Sequence, residues 1–229
     1  MTEATALVER RRTQDAKRKR AKPMPRAQRR EQLLGVARRI IQRGGIGGLT
    51  MSALAEESGT SKPVVYDHFD NSEAVAIALL DESFATLVDL IAERTKDAET
   101  LEDYLSIAID TEFEFQKRDQ LVVRGITNGH SASERINAVF LKQREVAIET
   151  LQELVRQQGA SPEVATAAGL ALCELISGAA YGFTMGPDAE SAKETVKRMV
   201  IGAVQAIVPE AKAKPVTPAK ILATSRARK

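Results

Sequence analysis

The 229-residue sequence has no tryptophan, a single cysteine, two histidines and only 4% aromatic side chains. Its apolar stretches are built from Ala, Leu and Ile with recurring Glu and Arg and with few glycines or prolines inside them, which favours helices over sheets. An all-α body is the expectation. Cys173 has no second cysteine with which to form an intramolecular disulfide, and a reducing compartment follows. His68 and His130 lie far apart and form no metal-ligand cluster, so no metal or other cofactor is expected. No glycine-rich phosphate loop, GxSxG elbow or HExxH helix occurs. The most apolar stretch, 165–185, is interrupted by Glu174 and makes a poor membrane span. The basic N-terminal residues are not followed by the apolar run of a secretory signal, so the expected location is the cytoplasm.

Charge is segregated. The net charge is +2, but residues 10–30 hold eleven Lys/Arg against one acid, Asp15, and residues 212–229 hold six Lys/Arg against none. With Glu3 and Glu9 in the first nine residues, the body from 31 to 211 is left at −12. An acidic body with two basic tails suits either solubilising tails or a polyanionic partner.

Residues 1–25 lack apolar periodicity and end in Pro23-Met24-Pro25, the pattern of a disordered basic arm, and residues 210–229 read as a second disordered basic tail. Between them, Leu33, Leu34, Ala37, Ile40 and Ile41 mark one face of a first helix that Gly44-Gly45 stops. Thr50 is placed to cap a second helix through Met51, Leu54 and Ala55, closed by Gly59. Ser61 is placed to cap a very short third helix with Pro63 in its first turn. Asp70-Asn71-Ser72 then starts a long fourth helix. Breaks among the later helices are expected at 95–100, 118–120, 127–133, 159–162 and 185–191.

Two short helices joined by Glu57-Ser58-Gly59-Thr60-Ser61 and packed on a longer one have the dimensions of a helix-turn-helix. A two-turn helix that enters the major groove by its N-terminal end needs small or polar residues outward and apolar ones inward. Val65 and Phe69 supply the inward side. Ser61, Lys62, Pro63 and Val64 then face outward, with Lys62 in reach of guanine O6/N7 and the Pro and Val suited to thymine methyls. Tyr66, His68 and Thr50 are placed to hydrogen-bond phosphate, while Arg26, Arg29 and Arg30 suit either phosphate contact or solvated charge.

The run Leu49-Thr50-Met51-Ser52-Ala53-Leu54-Ala55 followed by Gly59-Thr60-Ser61-Lys62-Pro63-Val64-Val65-Tyr66-Asp67-His68-Phe69 resembles the signature of the tetracycline-repressor (TetR) family. Two positions depart from it: Ser72 stands where a turn lysine is common, and Thr60 where valine is usual. The resemblance covers about 26–91. It implies a helix-turn-helix domain at 26–71, a variable helical domain at 72–209 that binds an effector and dimerises, a homodimer on a double-stranded pseudo-palindromic operator, and repression as the default outcome, with activation as the alternative. Effector binding would then change helix packing near residues 71–93 and respace the two reading heads.

Within the second domain, Tyr104, Phe113, Phe115, Phe140, Tyr181 and Phe183 are the aromatics available to a ligand cavity or to ordinary core. Glu112 and Gln143 lie beside apolar stripes and are either polar handles in such a pocket or surface residues. An aliphatic lining suits a hydrophobic small molecule such as a fatty acyl or terpenoid compound. Asn128 and His130 read as loop residues. Ala165, Gly169, Cys173 and Ser177 recur every fourth residue, a stripe suited to internal packing or to a second helix. Because the family's last two helices form the dimer bundle, Gly169, Cys173 and Ser177 with Val196, Val200 and Val204 are its expected interface.

Two other classes compete. An enzyme using Glu112 with His130 lacks an activated nucleophile, paired base or metal set at usable spacing, and the chain is not expected to be one. A non-specific nucleic-acid binder driven by the tails would show a steep salt dependence and little operator preference.

Overall fold

The structure, a computed structural model, describes residues 24–127, 133–183 and 186–208, and over these the chain is helical with no strand. The expected tails, with Asn128 and His130, lie outside the described residues. Eight α-helices follow in order: α1 (Arg26–Gly44), α2 (Met51–Ser58), α3 (Lys62–Tyr66), α4 (Ser72–Arg94), α5 (Leu101–Thr127), α6 (Glu134–Gln157), α7 (Pro162–Phe183) and α8 (Ala189–Ile207), with one 3₁₀ turn at Ile46–Gly48 after α1.

Local chemistry sets the boundaries. The Thr50 hydroxyl accepts from the Ala53 amide at 3.0 Å to start α2. Gly59, at φ 67°, ends it while the Gly59 and Thr60 amides donate to Glu56 and Ala55 carbonyls, a Schellman closure. Asn71 caps α4 through the Ala74 amide at 2.8 Å. At the head of α5, the Thr100 hydroxyl accepts from the Asp103 amide at 3.1 Å and the Asp103 carboxylate accepts from the Thr100 amide at 3.3 Å. This reciprocal pair satisfies two amides that the first turn would otherwise leave exposed.

The expected break at 118–120 is absent: α5 runs unbroken through it. Within that stretch Arg118 stays exposed and Asp119 turns inward, where it meets Arg38 of α1 at 2.5 Å. Polarity here marks a buried ion pair.

Apolar side chains gather in two clusters. The first holds Leu33, Ile40 and Ile41 of α1, Leu54 of α2, Val65 and Phe69, and extends without interruption to Val75, Leu79 and Leu80 of α4, Val122 and Ile126 of α5 and Ile136 of α6. The short helices therefore share a core with the longer ones, and no core boundary falls at 71/72. The second cluster joins Tyr104, Leu105 and Ile109 of α5, Leu151 and Leu154 of α6, Leu172 and Ile176 of α7 and Val196, Val200 and Val204 of α8. Helix α7 is the one helix among the described residues long and apolar enough to cross a membrane by length and composition. Its inner face packs in the second cluster, and its Glu174 pairs with Arg144 of α6 at 2.5 Å.

Candidate functional site

The helix-turn-helix is built from inward anchors. Val65 is fully buried and Phe69 nearly so, which fixes the roll of α3 and turns its other side out. Ser61, Lys62, Pro63 and Tyr66 are exposed, and Val64 is half-buried. Tyr66 keeps 52% of its surface, unusual for a ring of its size, and its hydroxyl and the Lys62 ammonium have no partner among the described residues. Ser61 occupies the cap position of α3, but its side chain makes no capping bond, so its hydroxyl also remains outward-facing and uncommitted.

The flanking charges are more constrained than the sequence suggests. Arg29 donates to Gln32 at 2.6 Å, and Gln32 in turn donates to the Ser58 carbonyl at 3.3 Å, tying α1 to the end of α2. Arg26 donates to the Asp67 carbonyl at 3.0 Å, and the Arg30 guanidinium stacks 4.5 Å above the Phe69 ring. Burial, with the charge of Arg26 next, pushes the His68 imidazole below its ordinary value despite the opposing pull of Asp67. At neutral pH His68 is therefore a neutral donor or acceptor at the foot of α3. Thr50 is exposed at the start of α2.

Beyond the shared apolar core, a part-buried ion pair and a close approach tie α1 to α5. Asp119 accepts from Arg38 through Oδ1 and from Arg118 through Oδ2 at 2.7 Å, while Arg38 also reaches the Ser83 hydroxyl at 3.3 Å. Six residues further along α5, a Cβ at Gly125 would sit 2.7 Å from a methyl of Ile41, so glycine lets α5 lie directly on α1. The first helix of the helix-turn-helix is thus packed directly on α5. Sequence reasoning missed both contacts, since a short polar run and a single glycine carry no pattern.

Between the residues of the two clusters, α5 carries buried side chains that belong to neither, Thr111, Phe115 and Gln116 among them. Phe84, Val139 and Phe140 close the first cluster, with Phe84 and Phe140 edge-on at 5.3 Å, and Ile91, Ala108 and Ala147 close the second. On α5 the bracketed span from Ala108 to Phe115 is about 10 Å along the helix. Glu112, Gln116 and, on α6, Gln143 belong to neither cluster, as do the half-buried Leu87 and Val88 of α4. Glu112 is half-buried. Its desolvation raises the carboxyl above the usual range, against the hydrogen bond from Gln116. Gln116 Nε2 donates to Glu112 Oε1 at 3.0 Å, while its own Oε1 is buried without a partner.

The other expected pocket residues separate. Tyr104 and Phe113 are core members of the second cluster, and burial pushes the Tyr104 hydroxyl up to about 12. Tyr181 lies on the outer surface with Arg124 stacked 4.3 Å from its ring centre, because it projects from the side of α7 opposite the core. Phe140 packs against the first cluster and Gln143 is half-buried on α6.

The expected interface residues are redistributed as well. Gly169 faces α6, where a Cβ would meet the Ile148 carbonyl at 2.9 Å, and Cys173, Val196, Val200 and Val204 are buried inside the chain's own second cluster. The small-residue stripe is internal packing, with only Ser177 of the six exposed. What α7 and α8 show to solvent is a different set: Leu170, Phe183, Met199 and Ile207 are exposed apolar side chains. A groove of about 530 Å³ between the two helices is lined by Leu175, Ala179, Phe183, Val196 and Met199 among others.

An outward-facing short helix held by buried anchors on a three-helix scaffold, with a larger helical body behind it, defines an all-α helix-turn-helix protein. Residues 33–79 match the profile of the bacterial regulatory proteins of the tetR family. The helix-turn-helix transcriptional activator FasR of Mycolicibacterium smegmatis is 29% identical over 101 residues, 44% of this chain and 46% of that protein. The matched region thus spans about half the length of that relative. In fold, the chain is similar to SCO4454, a TetR-family regulator from Streptomyces coelicolor, with TM-score 0.66 and 21% identity, covering 80% of this chain and 97% of that one. It is also similar to FadR of Bacillus subtilis, solved in complex with stearoyl-CoA, with TM-score 0.60 and 17% identity, covering 75% and 97%. Residues 33–79 thus resemble the helix-turn-helix of the tetR family, and the chain has the fold of the solved TetR-family regulator.

Proposed function

We propose that the protein is a ligand-responsive, sequence-specific transcriptional regulator that binds a pseudo-palindromic operator as a homodimer in the cytoplasm. The observation that carries this reading is the presentation of Ser61, Lys62, Pro63 and Tyr66, uncommitted and exposed on α3, by the buried Val65 and Phe69. Lys62 is suited to a guanine edge and Pro63 with Val64 to thymine methyls, while Thr50, Tyr66 and His68 flank them as phosphate contacts. Arg29 is a weaker contributor, since Gln32 already holds it.

The exposed apolar face of α7 and α8 is the surface for the second copy, and the level around Glu112, Phe140 and Gln143 is the effector site. Occupancy there would shift α5 and α4, and the Asp119–Arg38 contact would carry the shift into α1, separating the reading heads. Coupling of this kind amounts to about 1–3 kcal/mol. Repression is the family's default outcome; the activator FasR among the relatives favours activation as a second reading. Selection of bound sequences from random duplex DNA at near-physiological salt tests the proposal. The wild type should enrich a palindrome that a Lys62→Ala, Tyr66→Ala double variant loses, and equal, unselective binding by both would overturn it.

A further inference from the structure

The foot of α3 and the start of α1 meet in a basic cluster that holds one group able to titrate near neutral pH. Arg26 and Arg30, four residues and about one turn apart on one face of α1, reach the chain on either side of His68. Arg26 donates to the Asp67 carbonyl at 3.0 Å, and the Arg30 guanidinium stacks 4.5 Å from the centre of the Phe69 ring. His68 is half-buried between these contacts, its ring 6.5 Å from that of Phe69, and neither ring nitrogen has a hydrogen-bond partner among the described residues. The charges that act on the imidazole are Arg26, Arg29 and Arg30 of α1, which repel a proton, and the adjacent Asp67, which attracts one. No charge of α2, the other helix against α3, is among them. Permanent cations therefore outnumber the single carboxylate around an imidazole whose nitrogens are uncommitted, at the foot of the helix that presents Lys62 and Tyr66.

We infer that DNA binding takes up a proton at His68, so that a backbone phosphate at the seam of α1 and α3 is held by an imidazolium alongside the arginines. The inference rests on the reading of α3 as the helix that docks on DNA. In the free protein, burial and the arginines keep His68 neutral at pH 7. A phosphate reverses that balance: it offsets the arginine charges, and an opposite charge within about 4–6 Å favours the protonated imidazole by about tenfold or more. At a pH low enough for His68 to be charged in the free protein, nothing is gained on binding and affinity is at its full level. As pH rises from there towards the point where the imidazolium is lost even in the complex, a proton must be captured on binding, and affinity falls by up to about tenfold per pH unit.

The test is an anisotropy titration of the full chain from about pH 5.5 to about pH 8.5 at fixed ionic strength, on the duplex most enriched from random sequence and on a scrambled duplex. The proteins are the wild type, His68→Gln and His130→Gln, the last removing the only other histidine of the sequence. Affinity of the wild type and of His130→Gln for the enriched duplex should fall about tenfold from pH 6 to pH 8, and that of His68→Gln by less than about twofold. Calorimetry of the wild type at pH 7, in buffers of unlike ionisation enthalpy, counts the proton without any variant, and about 0.5–1 proton should be taken up per His68 engaged. A melting curve confirms that each variant is folded, and the wild-type count decides where one is not. A wild-type profile as flat as that of His68→Gln, parallel slopes in all three proteins, or no proton taken up would overturn the inference. The two duplexes separate the readings: selective binding without proton uptake removes the role of His68 alone. Equal binding to both duplexes removes the sequence reader, and an uptake on both that His68→Gln abolishes would leave the phosphate site standing.

Discussion

Replacing Asp119 by Asn isolates the ion pair that ties the larger helical body to the helix-turn-helix. The Asp119 side chain is 5% exposed and ion-paired to Arg38, itself 27% exposed, and to the more open Arg118. Removing one partner of a fully buried pair costs about 3–5 kcal/mol because the other charge is left without a counter-ion. Arg38 keeps part of its surface in water, the Ser83 hydroxyl at 3.3 Å and Glu82 at 3.7 Å, so the cost here falls to about 2 kcal/mol. For a chain of this size that lowers Tm by about 4–8 °C, measured at fixed protein concentration. A double-mutant cycle with Arg38→Met isolates the pair, and a coupling of about 1–2 kcal/mol is expected. The same variant should lose more of its effector response than of its ligand-free operator affinity, since α5 no longer pulls on α1. A coupling below about 0.5 kcal/mol would refute the assignment of Asp119 as the joint.

Four further outcomes follow from single sites. Glu112→Gln should raise Tm at neutral pH and reduce its slope with pH: burial lifts the carboxyl above its unfolded value, so the wild type is favoured while Glu112 is protonated and loses that stability as pH rises through the folded value. Thermal melts between pH 4 and pH 8 check it, and parallel curves for the two proteins would contradict it. Gly125→Ala should destabilise by about 1–3 kcal/mol in chemical denaturation, because the new methyl meets Ile41 and two packed helices must part. Asn71→Ala, which frees the Ala74 amide at the head of α4, should cost about 1 kcal/mol in the same assay. Met199→Glu, a charge placed on the exposed apolar face at 53% exposure, should turn the sedimenting species from dimer to monomer while leaving the helical circular dichroism unchanged.

The helix-turn-helix was legible because every one of its constraints is local. The spacing of Leu33, Ile40 and Ile41, the caps at Thr50 and Asn71 and the closing Gly59 are written within a turn or two of where they act. Val65 and Phe69 as inward anchors follow from the same spacing. What failed to show depends on contacts between distant segments. Nothing near Asp119 indicates that Arg38, 81 residues earlier, lies opposite it, so the polar run Arg118-Asp119-Gln120 reads as a break. The stripe of Gly169 and Cys173 shows that something packs closely there, but not whether it is α6 of the same chain or a helix of another. Valines at 196, 200 and 204 are likewise apolar for a core or for an interface, and only the fold assigns them inward. Glu112 stood out as a polar residue on an apolar face; that Gln116 completes it with an unpaired oxygen required coordinates.

The most direct test of the central claim is an anisotropy titration of the wild type on a selected duplex and on a scrambled duplex of equal length and composition, across a salt series. Reading by α3 predicts a preference of at least about a thousandfold at physiological salt, lost when Lys62 and Tyr66 are both alanine. Equal affinity for the two duplexes, falling steeply with salt and indifferent to those substitutions, would contradict it and leave the basic tails as the binding element.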